Sequence, residues 1–201
     1  NASERLFRAA FREAARRRGL LTLVDKANVL PSMAFFRRIF DEVSQEFHGV
    51  RTEKIYVDAA ALYLVRRPET FDVLVTENMF GDILSDLAAG LVGGMGMAPS
   101  ADIGDRYAVF QPSHGTAPDI AGKNIANPVA TVLSVAMMLD WLNHAETLRA
   151  AKIIHQAVEM VLANPANRTP DMGGKLNTVQ MGELILRGIR EAGADSTDRT
   201  P

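Results

Sequence analysis

An α/β fold with parallel strand pairing is the class this sequence predicts, and three observations predict it. Short apolar runs alternate with segments of helical periodicity as far as Leu91. A Gly/Pro-rich stretch, Gly93 to Gly104, then breaks the alternation, and the remainder is largely helical. Strands end on acids and run into helices, and the glycine fingerprint G-x-G-x-x-G of a Rossmann dinucleotide site occurs nowhere.

From Ser3 to Arg18 the residues Leu6, Phe7, Ala10, Phe11 and Ala14 fall at helical spacing, and Gly19 can end the helix. Its six arginines read as a solvated face rather than a nucleic-acid surface. Leu20 to Val24 reads as a buried strand bounded by Gly19 and Asp25. Ser32 to Phe47 follows as a helix with Phe35, Phe36, Ile39, Phe40 and Val43 on one side. Glu53–Val57 and Phe71–Thr76 are the next strands, separated by a short helix, Ala59–Arg67, and followed by another, Phe80–Leu91. Beyond the break come a short strand, Tyr107–Phe110, and a long polar loop. Helices are predicted over Pro128–Asn143, Glu146–Ala163 and Thr178–Ala192, and Asp195–Pro201 reads as a frayed tail. Gly93-Gly94-Met95-Gly96 reads as a flexible inter-domain turn, with a domain change near residue 93.

The 201 residues suffice for one or two domains with a sizeable core. A net charge of −2 gives no reason to expect nucleic acid or an anionic membrane as a partner. The absence of cysteine excludes disulfides, thiolate zinc sites, iron–sulfur clusters and thiol catalysis, and fits a reducing compartment. The apolar run Val129–Leu139 is too short to span a bilayer and there is no secretory signal, so a cytoplasmic location is expected. The chain opens on Asn1, already inside a helix start and without an initiator methionine, which reads as a fragment.

Two segments carry chemistry. In Thr76-Glu77-Asn78-Met79-Phe80-Gly81-Asp82-Ile83-Leu84-Ser85-Asp86 a strand ends, Gly81 allows a tight entry and a helix begins. Asp82 and Asp86, four residues apart, project from one helix face about a turn from each other. Two such carboxylates repel unless a cation lies between them, and Mg²⁺ or Mn²⁺ suits oxygen ligands. The plainer alternative is that both acids favour the positive end of the helix. The second segment, Gln111 to Pro128, contains Ser113-His114-Gly115-Thr116-Ala117-Pro118-Asp119-Ile120. It ends on Asn127-Pro128, an N-cap followed by proline. Such a loop can offer backbone N–H groups to a nucleotide, or be structural only. Lys26 closes an apolar strand and can serve as a base or simply pair with Asp25; Asp58 closes the next strand.

At these residues the sequence resembles the β-decarboxylating dehydrogenases, the isocitrate and 3-isopropylmalate dehydrogenase family. The matching motifs are Val24-Asp25-Lys26-Ala27-Asn28-Val29, Val57-Asp58, Asn78 to Asp86, Pro99-Ser100-Ala101 and His114 to Pro128, in the family's order. The resemblance implies a bilobal layered fold with a central mixed or parallel sheet, not Rossmann. Residues 1–92 would be most of the central dimerising and catalytic lobe, and 93–201 the C-terminal half of the nucleotide-binding lobe. It implies a homodimer with shared active sites and a small-molecule 2-hydroxy acid substrate.

By the same resemblance Asp82 and Asp86 match metal ligands, Asp58 matches the third and is donated across the dimer, and Lys26 matches the catalytic lysine, also donated across it. Asn28 lies beside Lys26 at the substrate, and His114, Gly115, Ala117, Asp119 and Asn127 match positions that hold the adenosine part of the cofactor. The Asp119-Ile120 pair points to NAD, because a carboxylate suits free ribose hydroxyls and repels a 2′-phosphate. Gln111 departs from the glutamate common in the family near the nicotinamide ribose. The arginines, tyrosine and specificity residue that the family supplies upstream lie outside this sequence, and the 201-residue chain alone is expected to be inactive.

The implied reaction is NAD-linked oxidative decarboxylation of a malate-type 2-hydroxy acid. The substrate leaning is to 3-isopropylmalate, with isocitrate, homoisocitrate or tartrate as alternatives. Gly90-Leu91-Val92-Gly93-Gly94-Met95-Gly96 looks more like the isocitrate and homoisocitrate relatives. A catalytically silent regulatory subunit is the rival within the family, and a plain α/β binding domain the rival outside it. The presence of the lysine and all three acids favours the enzyme.

Overall fold

The computed structural model describes residues 2–197, and side chains through residue 194. The chain forms two compact units, Asn1–Ala88 and Ala89–Pro201.

In the first unit, helix α1 (Ala2–Arg16) leads into strand β1 (Leu20–Asp25). Gly19 makes the turn with φ +74°, a left-handed backbone that glycine adopts without steric cost, and its N–H bonds to the Ala14 carbonyl at 3.1 Å. Helix α2 (Pro31–Ser44) starts on a proline suited to the first helical position. Strand β2 (Arg51–Tyr56), helix α3 (Val57–Arg66), strand β3 (Val73–Val75) and helix α4 (Asn78–Leu91), whose last three residues fall in the second unit, follow. The sheet order is β2-β1-β3 and both pairings are parallel, as the alternation predicted.

Because side chains alternate across a strand, β1 feeds two cores. Leu21 and Leu23 face Phe7 and Phe11 of α1 and Phe36, Phe40 and Val43 of α2, while Val24 packs with Ala60, Leu64 and Leu84 of α3 and α4. The aromatic rings interlock, with Phe7–Phe36 centroids at 4.5 Å and Phe11–Phe47 at 4.8 Å. Every residue of β1 is buried, the signature of a parallel strand covered on both faces, whereas β2, at the sheet edge, is almost wholly exposed.

The second unit differs from expectation at its start. The Gly/Pro-rich stretch Gly93 to Gly104, whose first four residues are expected to be a flexible turn, contains a 3₁₀ turn (Met95–Met97) and then β4 (Pro99–Ile103), which pairs antiparallel with β5 (Ala108–Pro112). The glycines and prolines that masked this hairpin serve it: Gly93 and Gly94 adopt φ of 117° and 107°, and Pro99 is the first residue of its strand. Helices α5 (Val129–Leu142), α6 (Ala145–Ala163) and α7 (Thr178–Thr197) close the unit around Val129, Val158, Val161, Met181 and Ile185. Helix α7 runs into the segment read as a frayed tail, of which 198–201 lie outside the described residues. Among the described residues no helix is long and apolar enough to cross a membrane.

Candidate active site

The C-terminal ends of parallel strands gather the first set of sequence-marked residues. Register places Asp25 opposite Tyr56, so the ends of β1 and β2 lie side by side. Asp25 is wholly buried and needs a cation. Arg37 of α2 supplies it with two hydrogen bonds of 2.7 Å, one to each carboxylate oxygen, and the Ala27 N–H adds a third at 3.0 Å. The hydrogen bond to Asp25 raises the Arg37 pKa above its ordinary value.

This corrects the Lys26–Asp25 pairing offered by adjacency in sequence. Consecutive residues at a strand end project to opposite sides, so Asp25 turns toward α2 and Lys26 away from it. The Lys26 ammonium instead meets the Asp58 carboxylate, Nζ to Oδ1 at 2.5 Å, and sits 6.0 Å from the centre of the Tyr56 ring. Asp58 lies in the first turn of α3. The Lys26 hydrogen bond, then its own backbone N–H, hold the Asp58 carboxyl below its usual range. Asn28 is exposed in the turn that follows β1.

Helix α4 carries Asp82 and Asp86, both exposed, neither in an ion pair among the described residues. The helix begins at Asn78, two residues before the expected Phe80, so Gly81 lies within its first turn. Glu77 accepts hydrogen bonds from the N–H groups of Met79 and Phe80 and so caps the helix. With that end already served by Glu77, a dipole role does not account for Asp86, two turns along. The two carboxylates are a fitting but incomplete ligand set for Mg²⁺ or Mn²⁺. The fold brings Lys26 to Asp58 and sets Asp82 beside Asp86. Among the described residues it nowhere assembles three His, Asp or Glu side chains around a metal position.

In the second unit the loop between β5 and α5 walls a cavity of about 700 Å³, within the range of small-molecule sites. His114, Gly115, Ala117 and Asn127 line it, together with Gly96 and Asp171; Asp119 is exposed beside it, next to the lining residue Ile120. Ala117 holds φ at 44°, a left-handed backbone costing an alanine roughly 1–2 kcal/mol, and its carbonyl accepts the Ile120 N–H at 3.0 Å. Asn124, also in the lining, holds φ at 53°, so this glycine-rich wall carries two non-glycine residues in the left-handed region. Asn127 is buried, its Oδ1 accepting the Val129 N–H at 3.0 Å as the cap of α5.

Gly96, Asp171 and Arg37 are the residues that sequence reasoning missed here. Asp171 stands 44 residues from its partner Asn127 and Arg37 stands 12 from Asp25, separations at which no local pattern shows a pair. A larger cavity, about 840 Å³, lies toward the N-terminal ends of β1 and β2, lined by Arg18, Leu20, Thr22, Arg51 and others. No sequence-marked residue reaches it, and ligands of open parallel sheets sit at the opposite ends of the strands.

These features define a class first: an α/β layered protein with parallel strands, acids at its strand and helix ends, and a nucleotide-sized cavity outside any Rossmann motif. Comparison with known proteins narrows the class. The sequence model of the isocitrate/isopropylmalate dehydrogenase family matches residues 1–185. A 3-isopropylmalate/3-methylmalate dehydrogenase of Methanocaldococcus jannaschii is 49% identical, covering 94% of this chain and 58% of its own. An isocitrate/homoisocitrate dehydrogenase of Thermus thermophilus is 53% identical, covering 94% and 56%. The crystal structure of isocitrate dehydrogenase from Methylococcus capsulatus superposes with a TM-score of 0.88 at 43% identity, over 94% of this chain and 56% of that one. The chain belongs to the isocitrate/isopropylmalate dehydrogenase family. It spans somewhat over half the length of the relatives it matches.

Proposed function

We propose that this chain forms part of an NAD- and divalent-metal-dependent dehydrogenase that oxidises and decarboxylates a malate-type 2-hydroxy acid, with 3-isopropylmalate the leading substrate. The observation that carries the reading is the Lys26–Asp58 ion pair at the strand ends, with the Asp82–Asp86 pair on α4 of the same unit. In this reading residues 1–92 belong to the dimerising, catalytic lobe and 93–201 to the nucleotide-binding lobe.

Asp82 and Asp86 would hold the metal, and a second copy would supply Asp58 to complete the oxygen set, together with Lys26. When bound, the metal lowers the pKa of the substrate hydroxyl and polarises the carbonyl formed from it. Lys26, as the neutral amine, would accept that hydroxyl's proton, and Asp58 of the same copy would orient the ammonium that results. Asn28, exposed on the adjoining turn, would contact the same substrate. His114, Gly115, Ala117 and Asn127, which line the cavity, would hold the adenosine half of NAD, and the Asp119 carboxylate would favour a free ribose hydroxyl over a 2′-phosphate.

A second substrate reading, isocitrate or homoisocitrate, is favoured by the 53% identity with the Thermus thermophilus relative of that name and by the Gly90–Gly96 segment. Replacing Lys26 by Met in the complete enzyme tests the mechanism. Turnover should fall by about 10²–10⁴-fold while the Kd for NAD stays within about twofold. Near-normal turnover would refute the role of Lys26.

A further inference from the structure

The Asn127 side chain is fully engaged. Its Oδ1 accepts the Val129 N–H at 3.0 Å, and its Nδ2 donates to Asp171 Oδ2 at 3.1 Å and to Met172 Sδ at 3.6 Å. A backbone N–H can only donate and a carboxylate only accept, so the amide has one orientation that satisfies both neighbours. The Asp171 carboxylate is itself held. Thr169, wholly buried, donates its hydroxyl to Oδ1 at 2.5 Å. Gly96 leaves the space the pair needs, since a Cβ there would stand 2.7 Å from Asp171 Oδ2 and 2.9 Å from the Asn127 Cβ. Next to Asn127, the Ala126 carbonyl is fixed by the Thr178 hydroxyl at 2.6 Å. Gly96, Ala126, Asn127, Asp171 and Thr178 all line the same cavity.

We propose that Asp171 is a positioning residue of this cavity, locking the Asn127 amide, and with it the Ala126–Asn127 wall, in place before an adenosine-type ligand arrives. The inference rests on the reading of the cavity as a nucleotide site. A preorganised wall spares the ligand the cost of ordering it, so loss of the lock weakens binding more than it slows turnover. Asp171 is exposed, so its replacement leaves the packed core intact.

ADP-ribose, which lacks the nicotinamide, is the probe, titrated calorimetrically into the complete enzyme. Asp171→Ala should raise its Kd roughly tenfold. The KM for NAD should rise in parallel, with kcat at saturating NAD changing far less and Tm without ligand holding within a few degrees. Asp171→Asn, which still offers an acceptor to Asn127, should recover most of the affinity, and Gly96→Ala should weaken it by displacing the carboxylate. An unchanged Kd in Asp171→Ala, or a Kd in Asp171→Asn no better than in the alanine variant, would overturn the inference while leaving the cofactor reading standing. Failure of the unaltered enzyme to bind ADP-ribose would overturn both.

Discussion

A buried carboxylate is tolerated only with compensation close at hand, and two residues of the first unit show how this chain supplies it. Asp25 takes a bidentate arginine, which leaves Lys26 to the exposed Asp58. The Asp72 side chain, also fully covered, accepts the Arg17 guanidinium at 2.9 Å and the Arg18 backbone N–H at 2.8 Å. Burial pushes its pKa up, but the hydrogen bonds from Arg17 and from the Leu20 and Arg18 backbone outweigh it and leave the carboxyl below its ordinary value. A depressed carboxyl contributes stability that is fully present above the unfolded-state value of about 3.9 and is lost as pH falls through the folded value. Thermal unfolding of the protein and of Asp72→Asn across pH should therefore show a constant gap from pH 8 to 5 that closes below about pH 4. A gap that widened on acidification would contradict the assignment. The acids and the lysine were legible as candidates because they punctuate apolar runs. Their partners were not, since Arg37 and Asp171 are set by tertiary approach.

At the scale of elements, the stack of Phe7, Phe11, Phe36, Phe40 and Phe47 ties α1 and α2 to the covered face of β1. Phe40 is fully buried and contacts both Phe7 and Phe11, so Phe40→Ala should cost about 3–5 kcal/mol by chemical denaturation. A loss below about 1 kcal/mol would mean that this face is not the core described. The first unit was legible almost throughout, because its helices carry a 3.6-residue apolar period and β1 a continuous apolar run. β4 was not. Its sequence, Pro-Ser-Ala-Asp-Ile, has neither the length nor the alternation of a strand, and only pairing with β5 makes it one.

Over the whole chain, the residues marked for chemistry fall into two groups, a lysine and acids in the first unit and a glycine-rich cavity wall in the second. The homology gives the family and not the substrate, since relatives of near-equal identity bear the names of different hydroxy acids. The measurement that tests the account most directly is nicotinamide reduction at 340 nm by the complete enzyme. It is run with 3-isopropylmalate, isocitrate and homoisocitrate in turn, with Mn²⁺ or with chelator, and with NAD or NADP. The account predicts reduction with one of these acids, foremost 3-isopropylmalate, accompanied by CO₂ release, abolished by chelator and with a lower KM for NAD than for NADP. Turnover that survives metal removal, a preference for NADP, or no reduction with any of the three acids would contradict it.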